Sequence, residues 1–165
     1  FSALLTQHQH KLVALAYRML GNFEDARDSV QDVFVKLWKT TAWQQDDIEV
    51  LPWLIRSLIN HCIDKLRRRK IRQFFSFDEW RGEAKAATIG RPDREADRVE
   101  MQQMLQSSIA RLKPKQKAIF ILRDVHGYSV SETANLLDCS ENNVLTNLHL
   151  ARKNLRKWLK PYLKN

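Results

Sequence analysis

The chain has 165 residues, 44% of them hydrophobic, with four glycines, four prolines, two cysteines and a formal net charge of +9 at pH 7. This composition argues for a folded, mostly helical chain of one domain or two small ones, and the two cysteines support neither a disulfide framework nor a Cys-rich zinc site. The charge is uneven, with twelve Lys and Arg against eight Asp and Glu over residues 1–75, five against seven over 76–105, and eleven against four over 106–165. Two basic ends flanking an acidic middle point to a polyanionic partner such as nucleic acid.

Leu4, Leu5, Leu12, Leu15, Ala16 and Leu20 recur at helical spacing and predict a first helix over 3–20, stopped by Gly21. Asn22 is suited to cap a second helix running to about Lys39. Its apolar stripe is Ala26, Val30, Val33, Phe34, Leu37 and Trp38, and Glu24, Asp25, Asp28 and Asp32 load its front half. That acidic side is either a solvated bundle face or a dock for a basic partner. Thr40 to Glu49 is polar and breaks the period. Pro52 then fits the first turn of a third helix carrying Trp53, Leu54, Leu58, Ile59, Ile63 and Leu66, whose end holds Lys65, Arg67, Arg68, Arg69, Lys70 and Arg72. A basic end with aromatics near the start, here Trp43 and Trp53, suits single-stranded nucleic acid, although a tryptophan in a first turn is more often core. From Gln73 to Arg94, Gly82, Gly90, Pro92 and mixed charge replace any apolar period and read as a linker.

A second domain is predicted from about Ala96, with Leu105, Ile109 and Leu112, followed by Pro114 opening a helix over Gln116 to Val125 and Gly127 stopping it. Ser129 and Glu132 have the spacing of a capping box, and Ser140 is suited to cap one more helix. Two capped helices meeting at Asp138-Cys139, with Ala134, Leu137 and Val144 where they would cross, predict a helix-turn-helix. On the last helix Val144, Leu148, Ala151 and Leu155 share one side, leaving Asn142, Thr146, His149, Leu150 and Lys153 on the opposite face.

Cys62 and Cys139 are far apart and read as reduced packing residues. His8, His10, His61, His126 and His149 form no ligand cluster, so no metal or other cofactor is expected. An enzyme ranks far below a binding protein, because there is no glycine-rich phosphate loop or nucleophile motif. No apolar run approaches the roughly 20 residues of a membrane span. The chain starts at Phe1 rather than Met and reads as lacking its natural start; with no signal peptide in view, a cytoplasmic location is expected.

Three stretches carry a resemblance: Leu15-Ala-Tyr-Arg-Met-Leu-Gly-Asn-Phe-Glu-Asp-Ala-Arg-Asp-Ser-Val-Gln-Asp-Val-Phe-Val-Lys-Leu-Trp38, Pro52-Trp-Leu-Ile-Arg-Ser-Leu-Ile-Asn-His-Cys-Ile-Asp-Lys-Leu-Arg-Arg-Arg69, and Leu112 to Ser129 leading into the helix-turn-helix. In this order, from about Leu4 to Leu159, the chain resembles the extracytoplasmic-function (ECF) sigma factors of bacterial RNA polymerase, in the sigma-70 family. The resemblance implies an all-α fold of two small helical domains joined by a flexible linker: residues 1–72 as region 2, 73–94 as linker, and 95–165 as region 4 with the helix-turn-helix. The expected partners are core RNA polymerase through its beta-prime and beta subunits, promoter DNA both duplex and single-stranded, and an anti-sigma factor, which in the family is frequently membrane-attached.

By resemblance, Asp25, Asp28, Gln31, Asp32, Phe34 and Val35 would dock on a beta-prime coiled coil. Trp53, Asn60, Asp64, Arg67, Arg68 and Arg69 would serve the downstream promoter element and its melting, with the loop Thr41 to Val50 and Asn60 holding an extruded base. Asn142, Asn143, Thr146, Asn147, His149, Leu150 and Lys153 would read the upstream element in duplex form. The chain departs from the family's pattern where Leu145, Asn147 and Leu150 occupy commonly basic positions and Asp138 a frequent glycine. Leu150 and Thr146 could meet thymine methyl groups and an Asn could pair with adenine. Alternatively, a partner protein covers Leu145 and Leu150. A free-standing DNA-binding regulator is the competing function, but it needs neither the acidic second helix nor the aromatic, arginine-rich third. The two domains are expected to depend on partners for their relative placement, because few contacts need cross a linker.

Overall fold

The computed structural model describes residues 1–44, 49–75 and 94–163, and all regular structure among them is helical. The first half contains α1 (Ser2–Leu20), α2 (Phe23–Thr40), a 3-10 turn (Ala42–Gln44) and α3 (Val50–Phe75). The second contains α4 (Arg94–Ala110), α5 (Pro114–Phe120) continued by a π-helical turn (Ile121–Val125), α6 (Val130–Leu137) and α7 (Glu141–Leu163).

Helix ends follow local chemistry. Gly21 closes α1 at φ 72°, a left-handed conformation that costs a residue without Cβ little. Asn22 accepts at 3.1 Å from the backbone N–H of Asp25. Ser129 and Glu132 form the reciprocal capping box at 3.0 and 3.2 Å, and Ser140 accepts from the Asn143 N–H at 3.1 Å. Asp138 takes the left-handed turn between α6 and α7 at φ 51°.

Two helix boundaries and one helix type differ from expectation. α3 continues to Phe75, because nothing between Arg72 and Phe75 breaks a helix, and α4 starts at Arg94 rather than Ala96. Residues 76–93, most of the predicted linker, lie outside the described residues, as do 45–48 of the predicted base-holding loop. The helix expected over Gln116 to Val125 widens part-way: the His126 N–H reaches back five residues to the Ile121 carbonyl at 2.9 Å, and Gly127 stops it at φ 74°.

Leu12, Leu15, Ala16 and Met19 of α1 pack against Val30, Val33 and Leu37 of α2 and against Leu54, Leu58 and Ile59 of α3. In the second half Ile119, Ala134, Val144 and Leu148 form a small cluster at the helix-turn-helix crossing. The halves are not independent. Ile109, Leu112, Ala118, Ile121, Leu136, Ala151 and Leu155 join the first-half residues in one continuous buried cluster, so the relative placement assigned to partners is set within the chain. The C-terminal end of α1 is the junction. The Gly21 N–H closes the last helical bond to the Tyr17 carbonyl at 2.7 Å, and the next three carbonyls, which lack helical partners, find donors on other helices: Arg18 from Gln106 Nε2 of α4 at 3.5 Å, Met19 from Lys117 Nζ of α5 at 3.2 Å, and Leu20 from Arg69 Nη1 of α3 at 2.9 Å.

Lys117 is 3% exposed, and burial, reinforced by the nearby Arg69 charge, lowers its pKa to about 8. The folded pKa lies below the unfolded value, so the charged side chain costs stability throughout the range below pH 8, and the cost fades as pH rises towards 10.5. Lys117→Met removes this pH-dependent cost together with the donor to the Met19 carbonyl, so the parent is expected to gain about 1–3 kcal/mol on the variant between pH 7 and pH 10. Urea unfolding at the two pH values checks this; a stability of parent minus variant that stays constant or falls at the higher pH contradicts this account.

Candidate polymerase and nucleic-acid interfaces

The acidic side of α2 divides in two. Asp28, Gln31, Asp32 and Val35 are exposed, whereas Asp25 is half-buried and paired with Arg69 and, at 3.4 Å, with Lys65 of α3. Phe34 is 4% exposed and belongs to the core, although its edge lines a groove of about 440 Å³ between α1 and α2 together with Leu5, Val13, Gln31, Val35 and Trp38. His61 Nε2 lies 3.7 Å from the Asp32 carboxylate. Trp43 stacks on the half-exposed Trp38 with centroids 5.4 Å apart, and Phe1 packs edge-on to Trp38.

On α3, Asn60, Asp64, Arg67 and Arg68 are exposed, and Trp53 is half-buried against the main core. Asn60, Asp64 and Arg67 share one wall of a cleft of about 400 Å³ with Ile63, and Lys115 and Leu137 of the second half form the other wall. Arg56 bridges the same two halves, its Nη2 donating to the Asn135 carbonyl at 2.7 Å. Arg69 turns away to Asp25 and the Leu20 carbonyl. Three of the six residues expected on this surface are thus brought together; Trp53, Arg68 and Arg69 do not line the cleft. Cys62 is fully buried, and desolvation pushes its thiol up to about 12, so it stays protonated and unreactive at neutral pH.

On α7, Val144, Leu148, Ala151 and Leu155 are buried, which fixes the rotation of the helix and leaves Asn142, Thr146, His149, Leu150 and Lys153 exposed. Asn143 and Asn147 are half-buried and engaged with each other, Asn147 Nδ2 donating to the Asn143 carbonyl and Oδ1 at 2.9 and 2.8 Å. Arg152 braces the helix against the π-helical turn with two bonds to Asp124, at 2.8 and 2.6 Å, and these hold the Asp124 carboxyl below its usual range.

A model of sigma-70 region 2 matches residues 4–72, and one of sigma-70 region 4 matches residues 102–155. The chain is 30% identical over 159 residues to the ECF RNA polymerase sigma factor SigM of Mycobacterium tuberculosis, covering 96% of this chain and 76% of that protein. The chain belongs to the ECF sigma-70 family. Its fold is that of the sigma factor RpoE from Bartonella quintana, solved with the anti-sigma factor NepR, at a TM-score of 0.71 and 22% identity over 100% of this chain and 98% of that one. CnrH, solved with the cytosolic domain of CnrY, matches at a TM-score of 0.67 and 23% identity over 98% and 88% of the two chains. Among the described residues of this ECF sigma factor, no helix is long and apolar enough to cross a membrane.

Sequence reasoning missed residues that tie the halves of this sigma factor together: Arg56, Gln106 and Lys117. Lys117 did carry a signal, because it lies one helical turn before the core residue Ile121. Its residue type argued the other way, since lysines are almost never fully buried.

The split on α2 separates structural from available carboxylates. Asp25→Ala strips the half-buried Arg69 and Lys65 of their shared anion and is expected to cost about 1–2 kcal/mol of stability. Asp28→Ala should lie within about 0.5 kcal/mol of the parent. Chemical denaturation of the two variants checks this; equal stabilities would remove the distinction.

Proposed function

We propose that this chain is the promoter-specificity subunit of a bacterial RNA polymerase: it binds the core enzyme, directs it to particular promoters and assists opening of the duplex. The observation that carries the reading is the order of the two matched regions on one chain, with Asn60, Asp64 and Arg67 gathered on one wall of a cleft. It acts without catalysis of its own. The exposed Asp28, Gln31, Asp32 and Val35 are the contacts for a basic helical element of beta-prime, while Asp25 and Phe34 shape that surface from behind. Residues 1–72 serve as the docking and melting domain, and 95–165 as the upstream-element domain, which also meets beta.

The α3 cleft suits a single extruded base better than a duplex. Asn60 both donates and accepts hydrogen bonds, Arg67 attracts the backbone phosphate, and Asp64 selects against poorly placed strands by repulsion. Because Lys115 and Leu137 close the other wall, a continuous strand enters only when the halves part. Parting breaks the Arg56 bond to Asn135 and the Lys117 bond to Met19. Control by an anti-sigma factor fits this hinge, since a clamp across both halves holds the cleft shut; the RpoE and CnrH structures, each solved with an anti-sigma factor, support that partner class. A cytoplasmic location follows from the proposed partner, the transcription machinery.

Transcription in vitro with core polymerase, alone or with this protein, tests the reading when opened bases are mapped chemically on source-genome templates. Transcripts and a melted bubble should require the protein. Asn60→Ala should lower bubble reactivity about fivefold, the size of one lost hydrogen-bonding group, with core affinity unchanged. Binding to duplex DNA without joining core polymerase or opening a promoter would instead make the protein a free-standing regulator.

A further inference from the structure

The first ten residues of α7, Glu141-Asn-Asn-Val-Leu-Thr-Asn-Leu-His-Leu150, contain no Lys or Arg. The cations come later on the same exposed side: Lys153, Arg156, Lys157 and Lys160 continue the stripe begun by Asn142, Thr146 and His149. With about 100° of turn per residue, Leu145 and Leu150 lie roughly 70° to either side of that stripe. They are 50% and 39% exposed, while Val144 and Leu148 are buried behind them. The helix thus presents a polar ridge with one leucine on each flank, followed by a cationic half.

The charge distribution selects the surroundings of each half. A phosphate backbone is drawn to residues 153–160 and repelled by Glu141 at the start of the helix. The front half is therefore suited to lie over base edges, where hydrogen-bonding groups on the ridge can pair and phosphates are distant. Of the groups displayed on the floor of the major groove, the thymine 5-methyl is the apolar one. It sits towards the side of the groove belonging to its own strand, where the flanks of an inserted helix fall. Asn142 supplies an amide on the ridge for adenine, because Asn143 and Asn147 are already engaged with each other.

Resting on the sigma-factor reading, we infer that Leu145 and Leu150 are specificity residues for the upstream promoter element, each packing on the 5-methyl group of a thymine, one on each strand. The element is then read by methyl contacts and one amide rather than by arginine on guanine.

The test uses duplexes enriched from a random library by this protein with core polymerase, then resynthesised with deoxyuridine in place of individual thymidines, which removes only the methyl group. Each critical replacement should weaken binding about threefold to fivefold, the worth of one buried methyl. Leu150→Ala should weaken the thymidine duplex by a similar factor and abolish sensitivity at one position, and Leu145→Ala should do so at a position on the other strand. Both leucines are exposed, so neither substitution disturbs the core; Leu163→Ala, at the far end of the helix, should leave binding unchanged. Equal affinity of the parent for the thymidine and deoxyuridine duplexes overturns the inference. So do alanine variants that keep both affinity and methyl sensitivity, which would leave the leucines as a surface covered by a protein. If no duplex is enriched at all, the sigma-factor reading fails and this inference falls with it.

Discussion

The architecture depends on how one helix end is satisfied. A helix C-terminus concentrates partial negative charge on its last carbonyls, which are costly to bury without donors. α1 ends inside the molecule, between the two halves, and its terminal carbonyls draw donors from α3, α4 and α5. Two of those donors, Arg69 and Lys117, are cations, so the charge complements the helix dipole. Arg69 also holds Asp25 at the start of α2. A single junction thereby orients α2, α3 and the second half. The arrangement has a cost, because Lys117 must surrender most of its hydration close to another cation, as its lowered pKa reflects.

That junction separates the surfaces of the proposed function by their physics. The α2 face is exposed charge on a rigid helix, with Asp25 withdrawn to brace it. The α3 face is a cleft whose second wall belongs to the other half of the protein, so its accessibility is coupled to the junction. The front of the α7 face is held by Val144 and Leu148 on the buried side of its own helix and by the Arg152 to Asp124 brace, both within the second half. A change at the end of α1 therefore alters what α3 can bind before it alters α7, whereas a change in α5 reaches both, because Ile119 packs with Val144 and Leu148 of α7.

What the sequence revealed and what it hid divide along locality. The left-handed Gly21, the Asn22 and Ser140 caps and the Ser129–Glu132 box all join residues within four positions of one another, and the structure contains each of them. The rotation of α7 was equally legible, because Val144, Leu148, Ala151 and Leu155 repeat at helical period. The widening at Ile121 was not, since a π-helical turn keeps the same apolar residues and changes only which carbonyl is used. The docking of the halves was hidden for a different reason. Its contacts join residues 79 to 98 positions apart, such as Arg56 with Asn135 and Lys117 with Met19, through backbone carbonyls that carry no sequence signature. For the candidate site, residue types suggested Arg67, Arg68 and Arg69 as one basic cluster; the helix turns Arg69 inward and leaves Arg67 and Arg68 exposed, a distinction set by the partner Asp25 rather than by charge.

Under the proposed function, these differences in anchoring impose an order on promoter recognition. Reading a duplex with α7 requires no contact of the junction to break, because that face already points outward. Capturing a strand on α3 requires the Arg56 and Lys117 bonds to be given up and part of a continuous apolar cluster to be exposed, which is unfavourable unless a partner binds the open form more tightly than the closed one. Core polymerase is suited to supply that difference, since it engages the α2 face and the second half together and can fix the distance between them. Duplex recognition and strand capture then become separable steps of a single chain, with the buried end of α1 as the contact that keeps the second from preceding the first.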